Sequence, residues 1–201
     1  MRHPPYNLKV NKESDRAVMI ETIRRALAAF QYSERDYRYI GLGGPFLEDF
    51  KRVHAAFPKM KLLSIEEDPV THRRQEFHRF INKKHLDLHC GDAHNYIRKF
   101  YEPSGKEIIW LDYLDFKLEE LNDFVFLATK APTGTILRIT IRAQWLEHLP
   151  GVAEVGKWAE IFKRFGDRFG DLAPAQLDPD DFRDGGRYCV LLNNILVSVM
   201  H

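Results

Sequence analysis

The sequence predicts a doubly wound α/β domain: about five parallel strands with helices on both faces, followed by a helical C-terminal extension. Three observations predict it. Short apolar segments alternate with amphipathic ones between residues 36 and 142. A glycine-rich turn, Gly41-Leu42-Gly43-Gly44, directly follows the first apolar segment. Acids stand at the ends of the next three segments. The 201 residues suit one such domain with an appendage. A net charge of +1 lacks the basic surplus of a nucleic-acid binder.

The elements follow in order. Residues 1–13 read as a polar, proline-bearing lead-in. From Ser14 a helix is expected, with Ile20, Ile23, Leu27 and Phe30 on one face at three- and four-residue steps. Arg38–Leu42 is the first strand, and Pro45–Phe57 the helix after it, with proline suited to the first turn. Lys61–Glu66, His85–Cys90, Glu107–Asp112 and Thr135–Ile141 read as further strands. Helices are expected at 69–81, 94–101 and 117–130. Right-handed crossovers make such an alternation a doubly wound sheet. Beyond Arg142 it stops. Gly156–Phe165 reads as a helix with Val155, Trp158, Phe162 and Phe165 on its stripe, and 166–179 as loop. In the last stretch Tyr188, Leu191, Leu192, Ile195, Leu196 and Val199 fit a buried helix, whereas Asn193-Asn194 also fits a hairpin turn. The unbroken helical stripe favours the helix.

Open parallel sheets bind ligands beyond the carboxyl ends of their strands. Glycine lets backbone approach a ligand without a Cβ clash. Strand, glycine turn and helix in succession therefore predict a Rossmann-like nucleotide pocket at Gly41, Gly43 and Gly44. Glu66 ends the second strand 25 residues after Gly41, where a carboxylate can accept from both hydroxyls of a ribose. Gly91-Asp92-Ala93 follows the third strand, and Asp92 suits either an adenine amino group or a helix N-cap. Asp112, Tyr113 and Asp115 follow the fourth and are the candidate catalytic groups.

On Tyr39–Gly44, Leu62–Glu66, Cys90–Ala93 and Ile109–Tyr113, the chain resembles the class I S-adenosylmethionine-dependent methyltransferases. More narrowly, it is similar to uncharacterised bacterial O-methyltransferases. The resemblance implies a methyltransferase core at 36–142, preceded by a lead-in and helix at 1–35 and followed by the extension at 143–201. It implies S-adenosylmethionine as cofactor: Gly41, Gly43 and Gly44 against its methionine part, Glu66 on the ribose, Gly91, Asp92 and Ala93 near the adenine. Asp112, Tyr113 and Asp115 would face the methyl and an oxygen acceptor. The chain departs from the family pattern at Tyr39, where an acid is usual, and at Pro45-Phe46, where the third glycine is replaced. The two antiparallel strands that usually close the sheet have no counterpart, and Arg142-Ala143-Gln144 replaces the Asp-Asn pair of the magnesium-dependent enzymes, so no metal is expected.

Two rivals remain. One is a non-catalytic binding or assembly module with a degenerate pocket, its apolar C-terminal segment covered by a second copy or a partner protein. The other is an NAD-dependent oxidoreductase, disfavoured because Phe46 would crowd the close helix–strand packing served by the third glycine. His85, Asp87 and His89 share one strand face, but an exposed edge strand explains them better than a metal site. Lys83-Lys84 reads as a solvated surface. The two cysteines, Cys90 and Cys189, fall short of a disulfide framework and suit a reducing, cytoplasmic setting. No apolar run reaches the length of a membrane span.

Overall fold

The computed structural model describes residues 10–113, 118–141 and 156–198. They divide into two compact units, Met1–Asp112 with Leu127–Ile139, and Tyr113–Phe126 with Thr140–His201.

The first unit is built on strands β1 (Tyr37–Leu42), β2 (Lys61–Glu66), β3 (Leu86–Cys90), β4 (Lys106–Asp112) and β5 (Ile136–Thr140). Their order is β3-β2-β1-β4-β5. β1 pairs in parallel with β2 and β4, and β2 with β3, so Gly41 lies between Ser64 and Trp110. The chain winds outward from β1 to β3, then returns to β1's other side with β4. The strand order reverses there, which opens a crevice at the carboxyl ends of β1 and β4.

Helices α1 (Val10–Phe30), α2 (Glu48–Ala56), α3 (Pro69–Phe77) and α4 (Ala93–Lys99) surround the sheet, and α5 (Leu118–Lys130) follows β4. Met19, Ile23 and Leu27 of α1 join Phe50, Val53, Tyr39, Leu62, Leu86, Ile108 and Trp110 in one core. Period-two alternation buries Ile40, Leu63, Ile65 and Ile109 on the opposite face, where α4 contributes Tyr96 and Ile97. Phe30 leaves the expected stripe: it is exposed and stacks on Tyr32.

Several boundaries differ from expectation. α1 already begins at Val10, inside the stretch expected as lead-in, where Lys12 and Glu13 of its first turn find ion-pair partners. Pro45 does not open α2; Pro45 and Phe46 form a tight turn in which Leu47 N–H donates to Gly44 O at 3.1 Å. Leu47 then takes a left-handed conformation at φ 55°, so the helix begins only at Glu48. α3 stops at Phe77, short of Ile81.

The second unit carries α6 (Lys157–Phe169), α7 (Pro179–Arg183) and α8 (Gly185–Ser198). α6 runs past Phe165 into the segment expected as loop, because Phe169 continues the buried stripe of Ile161 and Phe165. Phe165 meets Phe182 of α7 edge-on at 5.3 Å, and Phe182 meets Tyr188 of α8 at 5.7 Å. The terminal segment is the helix, not the hairpin: Tyr188, Leu191, Leu192 and Ile195 are buried, while Asn193 and Asn194 face solvent. Among the described residues no helix is long and apolar enough to cross a membrane.

Candidate functional site

The glycine turn leaves β1 at its carboxyl end, and its three glycines have different reasons to be small. A Cβ on Gly43 would lie 2.0 Å from Ser64 Oγ and 2.7 Å from Gln75 Nε2. Both residues are fully buried. Gln75 donates to Gly43 O at 2.6 Å and to Gly44 O at 3.3 Å, while Ser64 Oγ donates to Gln75 Oε1 at 3.3 Å. A buried hydroxyl and amide thus satisfy each other and the turn's carbonyls. A Cβ on Gly41 would meet the Tyr39 ring at 3.1–3.3 Å. Only Gly44 looks onto open space, with nothing within 4 Å.

Tyr39 takes the position where the family resemblance leads one to expect an acid. Its ring is buried, packs edge-on against Phe50 and covers Gly41. Burial pushes its phenol well above the usual range, with Asp49 reinforcing the shift. Phe46 does not crowd the helix–strand packing as expected; it is exposed, beside the His78 ring.

At the end of β2, Glu66 is half-buried and its Oε1 accepts from Asp68 N–H at 2.9 Å. Burial raises its carboxyl above the usual range, with Asp68 and Glu67 adding to the rise and their backbone N–H groups opposing it. Asp68 caps α3, accepting from Val70 and Thr71 N–H. At the end of β3, Gly91 N–H donates to Glu66 O at 2.9 Å. Asp92 is exposed and caps α4, its Oδ1 accepting from Asn95 N–H at 2.8 Å and from the Asn95 side chain at 3.1 Å. Ala93 is the first residue of α4. Capping alone therefore accounts for Asp92.

At the end of β4, Asp112 pairs with Lys12 of α1 at 2.6 Å. Three more ion pairs tie the first turns of α1 down: Asp15 to Arg138 of β5, Arg16 to Asp49, and Glu13 to Arg52, the last two on α2. Arg138 also lies over the Trp110 ring at 4.2 Å. α1 thus crosses the carboxyl ends of β4 and β5 with charged side chains turned inward. Tyr113 follows Asp112 and is half-buried, while Asp115 lies outside the described residues.

The sequence reading missed Lys12, Ser64, Gln75 and Arg138. Ser64 carried a signal, since a hydroxyl inside the apolar run Leu62–Ile65 demands a buried partner. Lys12, on a turn expected to be lead-in, carried none. Among the described residues no three His, Cys, Asp or Glu side chains gather as a metal would require. His85 instead bonds Asn82, and His89 lies edge-on to Tyr96.

A family model described as "Putative O-methyltransferase" matches residues 4–201. No curated protein matches the chain significantly. Similar solved structures include a "probable spermidine synthase" from Corynebacterium glutamicum, at 17% identity over 56% of this chain and 42% of that one, TM-score 0.47. A "putative O-methyltransferase" from Klebsiella pneumoniae is 12% identical over 94% and 71%, TM-score 0.45. A "putative caffeoyl-CoA O-methyltransferase" from Staphylococcus aureus is 7% identical over 90% and 70%, TM-score 0.41. The chain spans less than half the length of the first of these.

Proposed function

Since the chain belongs to the family described as "Putative O-methyltransferase", we propose that it transfers a methyl group from S-adenosylmethionine to an oxygen acceptor. The observation that carries this reading is the placement of Gly44, Glu66 and Asp112 at the carboxyl ends of β1, β2 and β4, beside the reversal of strand order. The residues fit the cofactor. Gly44 leaves open space for a close approach, and Glu66 keeps acceptor capacity for a ribose beside the backbone N–H of Asp68. The cofactor supplies an activated methyl on a sulfonium.

The rest falls to the chain's own side chains. Gly91, Asp92 and Ala93 border the adenine end. Asp112 takes the proton of the acceptor hydroxyl, once Lys12 swings off its carboxylate; Tyr113 and Asp115, which follow it in the sequence, are the further candidate catalytic groups. Gly41 and Gly43 serve the cofactor indirectly, by keeping the turn flush with Tyr39, Ser64 and Gln75. Alignment of acceptor and methyl contributes most, since positioning can lower a barrier by about 7–11 kcal/mol.

Isothermal titration with S-adenosylmethionine tests the reading. Saturable binding is expected; no heat at millimolar ligand, from a protein that melts cooperatively, would overturn it. A second reading, a binding module that carries out no methyl transfer, draws support from Tyr39 over Gly41 and Lys12 on Asp112. Methyl transfer to a hydroxyl acceptor would dispose of it. Exposed Val190 and Val197 on α8 support a homodimer or a partner on that segment, and light scattering reads the mass. The free, exposed Cys90 and Cys189 support a cytoplasmic setting.

A further inference from the structure

A second concave site lies at the other end of the strands. A groove of about 560 Å³ opens where β1 and β2 begin and β3 is entered, on the face that carries α4. Arg38, Lys61, Lys83, Lys84, His85 and Asp87 line it, over a floor that includes Leu63 and Tyr96. None of these belongs to the turn or the strand ends described above.

Its charge is not an average of the surface. Arg38 is spent on the fully buried Glu107, which its Nε reaches at 3.1 Å. Lys61, Lys83 and Lys84 are exposed and form no ion pair among the described residues. Three free ammoniums thus face the single carboxylate of Asp87, in a chain whose net charge is only +1. Concave walls lined by one sign of charge concentrate counter-ions. Lys83-Lys84 is also fixed in place: Asn82 Oδ1 accepts from the N–H groups of Lys84 and His85 at 3.0 and 3.2 Å, holding the turn that presents the two lysines. The volume falls in the range of small-molecule sites. A nucleic acid would instead need a basic stripe continuing beyond the groove.

We propose that this groove binds a small polyanion carrying adjacent phosphate groups. Lys61 approaches from β2 and Lys83-Lys84 from the turn before β3, so two or more phosphates can be met at once. The positive surplus left over the one acid, Asp87, favours ligands with several negative charges over a lone anion, because each further charge adds attraction. The site stands independently of the methyltransferase reading.

The experiment titrates inorganic tripolyphosphate into the full chain at about 50 mM salt, beside the Lys83→Glu/Lys84→Glu variant and a control with Lys51→Glu/Lys163→Glu, charge reversals outside the groove. Saturable binding is expected in the wild type and the control. It should weaken at least tenfold in K83E/K84E, and again as salt rises to about 200 mM, since exposed charges are screened over roughly 10 Å. Circular dichroism melts confirm that both variants fold. ATP distinguishes the source of the phosphates: affinity equal to tripolyphosphate means the chain of phosphates suffices, and tighter binding adds a nucleoside on the Leu63–Tyr96 floor. Absence of wild-type binding, or equal weakening in the control, overturns the proposal. So does a single-stranded oligonucleotide that binds through these lysines more tightly than tripolyphosphate.

Discussion

Gly43→Ala tests whether this glycine is demanded by the fold. The new methyl would stand 2.0 Å from Ser64 Oγ and 2.7 Å from Gln75 Nε2, both fully buried. Ser64 has no flexible end to withdraw, so the turn or Gln75 must move. Overpacking of this kind costs about 1–3 kcal/mol. Displacing Gln75 also weakens its bonds to Gly43 O and Gly44 O, at about 1 kcal/mol each. A loss near 3 kcal/mol corresponds to a melting temperature roughly 6–12 °C lower for a chain of this size. Circular dichroism melts read it directly. Ser64→Gly removes the obstructing side chain, at a cost of up to about 1 kcal/mol for glycine in a strand. The double variant should therefore show about 1–2 kcal/mol of favourable coupling in a mutant cycle. Gly44→Ala is the counterpart. It meets nothing within 4 Å, so its melt should match wild type while S-adenosylmethionine binding weakens. If Gly43→Ala melts within about 2 °C of wild type, or shows no coupling to Ser64, the packing argument is wrong.

Other outcomes are expected from the same structure. Arg38→Ala leaves the buried carboxylate of Glu107, among the described residues, with the Tyr101 hydroxyl as its one remaining side-chain donor, and should cost about 3 kcal/mol in urea unfolding. Tyr39 and Tyr101 are pushed above the usual phenol value, chiefly by burial, and for Tyr101 also by Glu107. A folded value above the unfolded one gives stability that is full below pH 10 and falls as pH climbs past it, at about 1.4 kcal/mol per pH unit and proton. Tyr101→Phe should flatten that alkaline slope by about one proton, and an unchanged slope would count against it. Glu66 is raised by burial, so its stabilising contribution belongs to the protonated form and is lost as pH rises. Glu66→Gln should leave the neutral-pH melt unchanged or higher, while weakening cofactor binding about tenfold or more through lost charge-assisted hydrogen bonds. Lys12→Ala removes a partly exposed pair and should cost no more than about 1 kcal/mol. Asp112→Asn should slow methyl transfer about a hundredfold or more if this acid is the base.

The alternation of apolar and amphipathic segments was enough to read the sheet, because each strand buried on both faces shows as a continuous apolar run. It could not fix where α2 starts, since Pro45 is equally at home in a turn and in a first helical turn. The left-handed Leu47 that decides the matter follows from the tight Gly44–Leu47 turn, a three-dimensional constraint. Asn193-Asn194 favoured a hairpin by local chemistry, yet the stripe from Tyr188 to Ile195 prevailed because burying four large side chains outweighs a turn preference. Ion pairs such as Lys12–Asp112 span about a hundred residues of sequence and leave no periodic trace.

What touches each glycine and acid narrows the candidate site. A glycine is informative about a ligand only where the protein itself leaves the Cβ direction empty. By that measure Gly41 belongs to Tyr39, and Gly43 to Ser64 and Gln75, so the close approach expected along the whole turn contracts to Gly44. The same reasoning applies to the acids. Asp92 and Asp68 are accounted for as helix caps, but Glu66 is held half-buried at a cost that the backbone N–H groups of Asp68 and Glu67 only partly offset. A carboxylate kept desolvated at the mouth of a crevice gains from a hydroxyl donor arriving there, which is the role a ribose would fill. Gly44, Glu66 and Asp112 thus carry the ligand-facing weight, one on each of three adjacent strands about the reversal of β1 and β4, with α1 pinned beside them through Lys12.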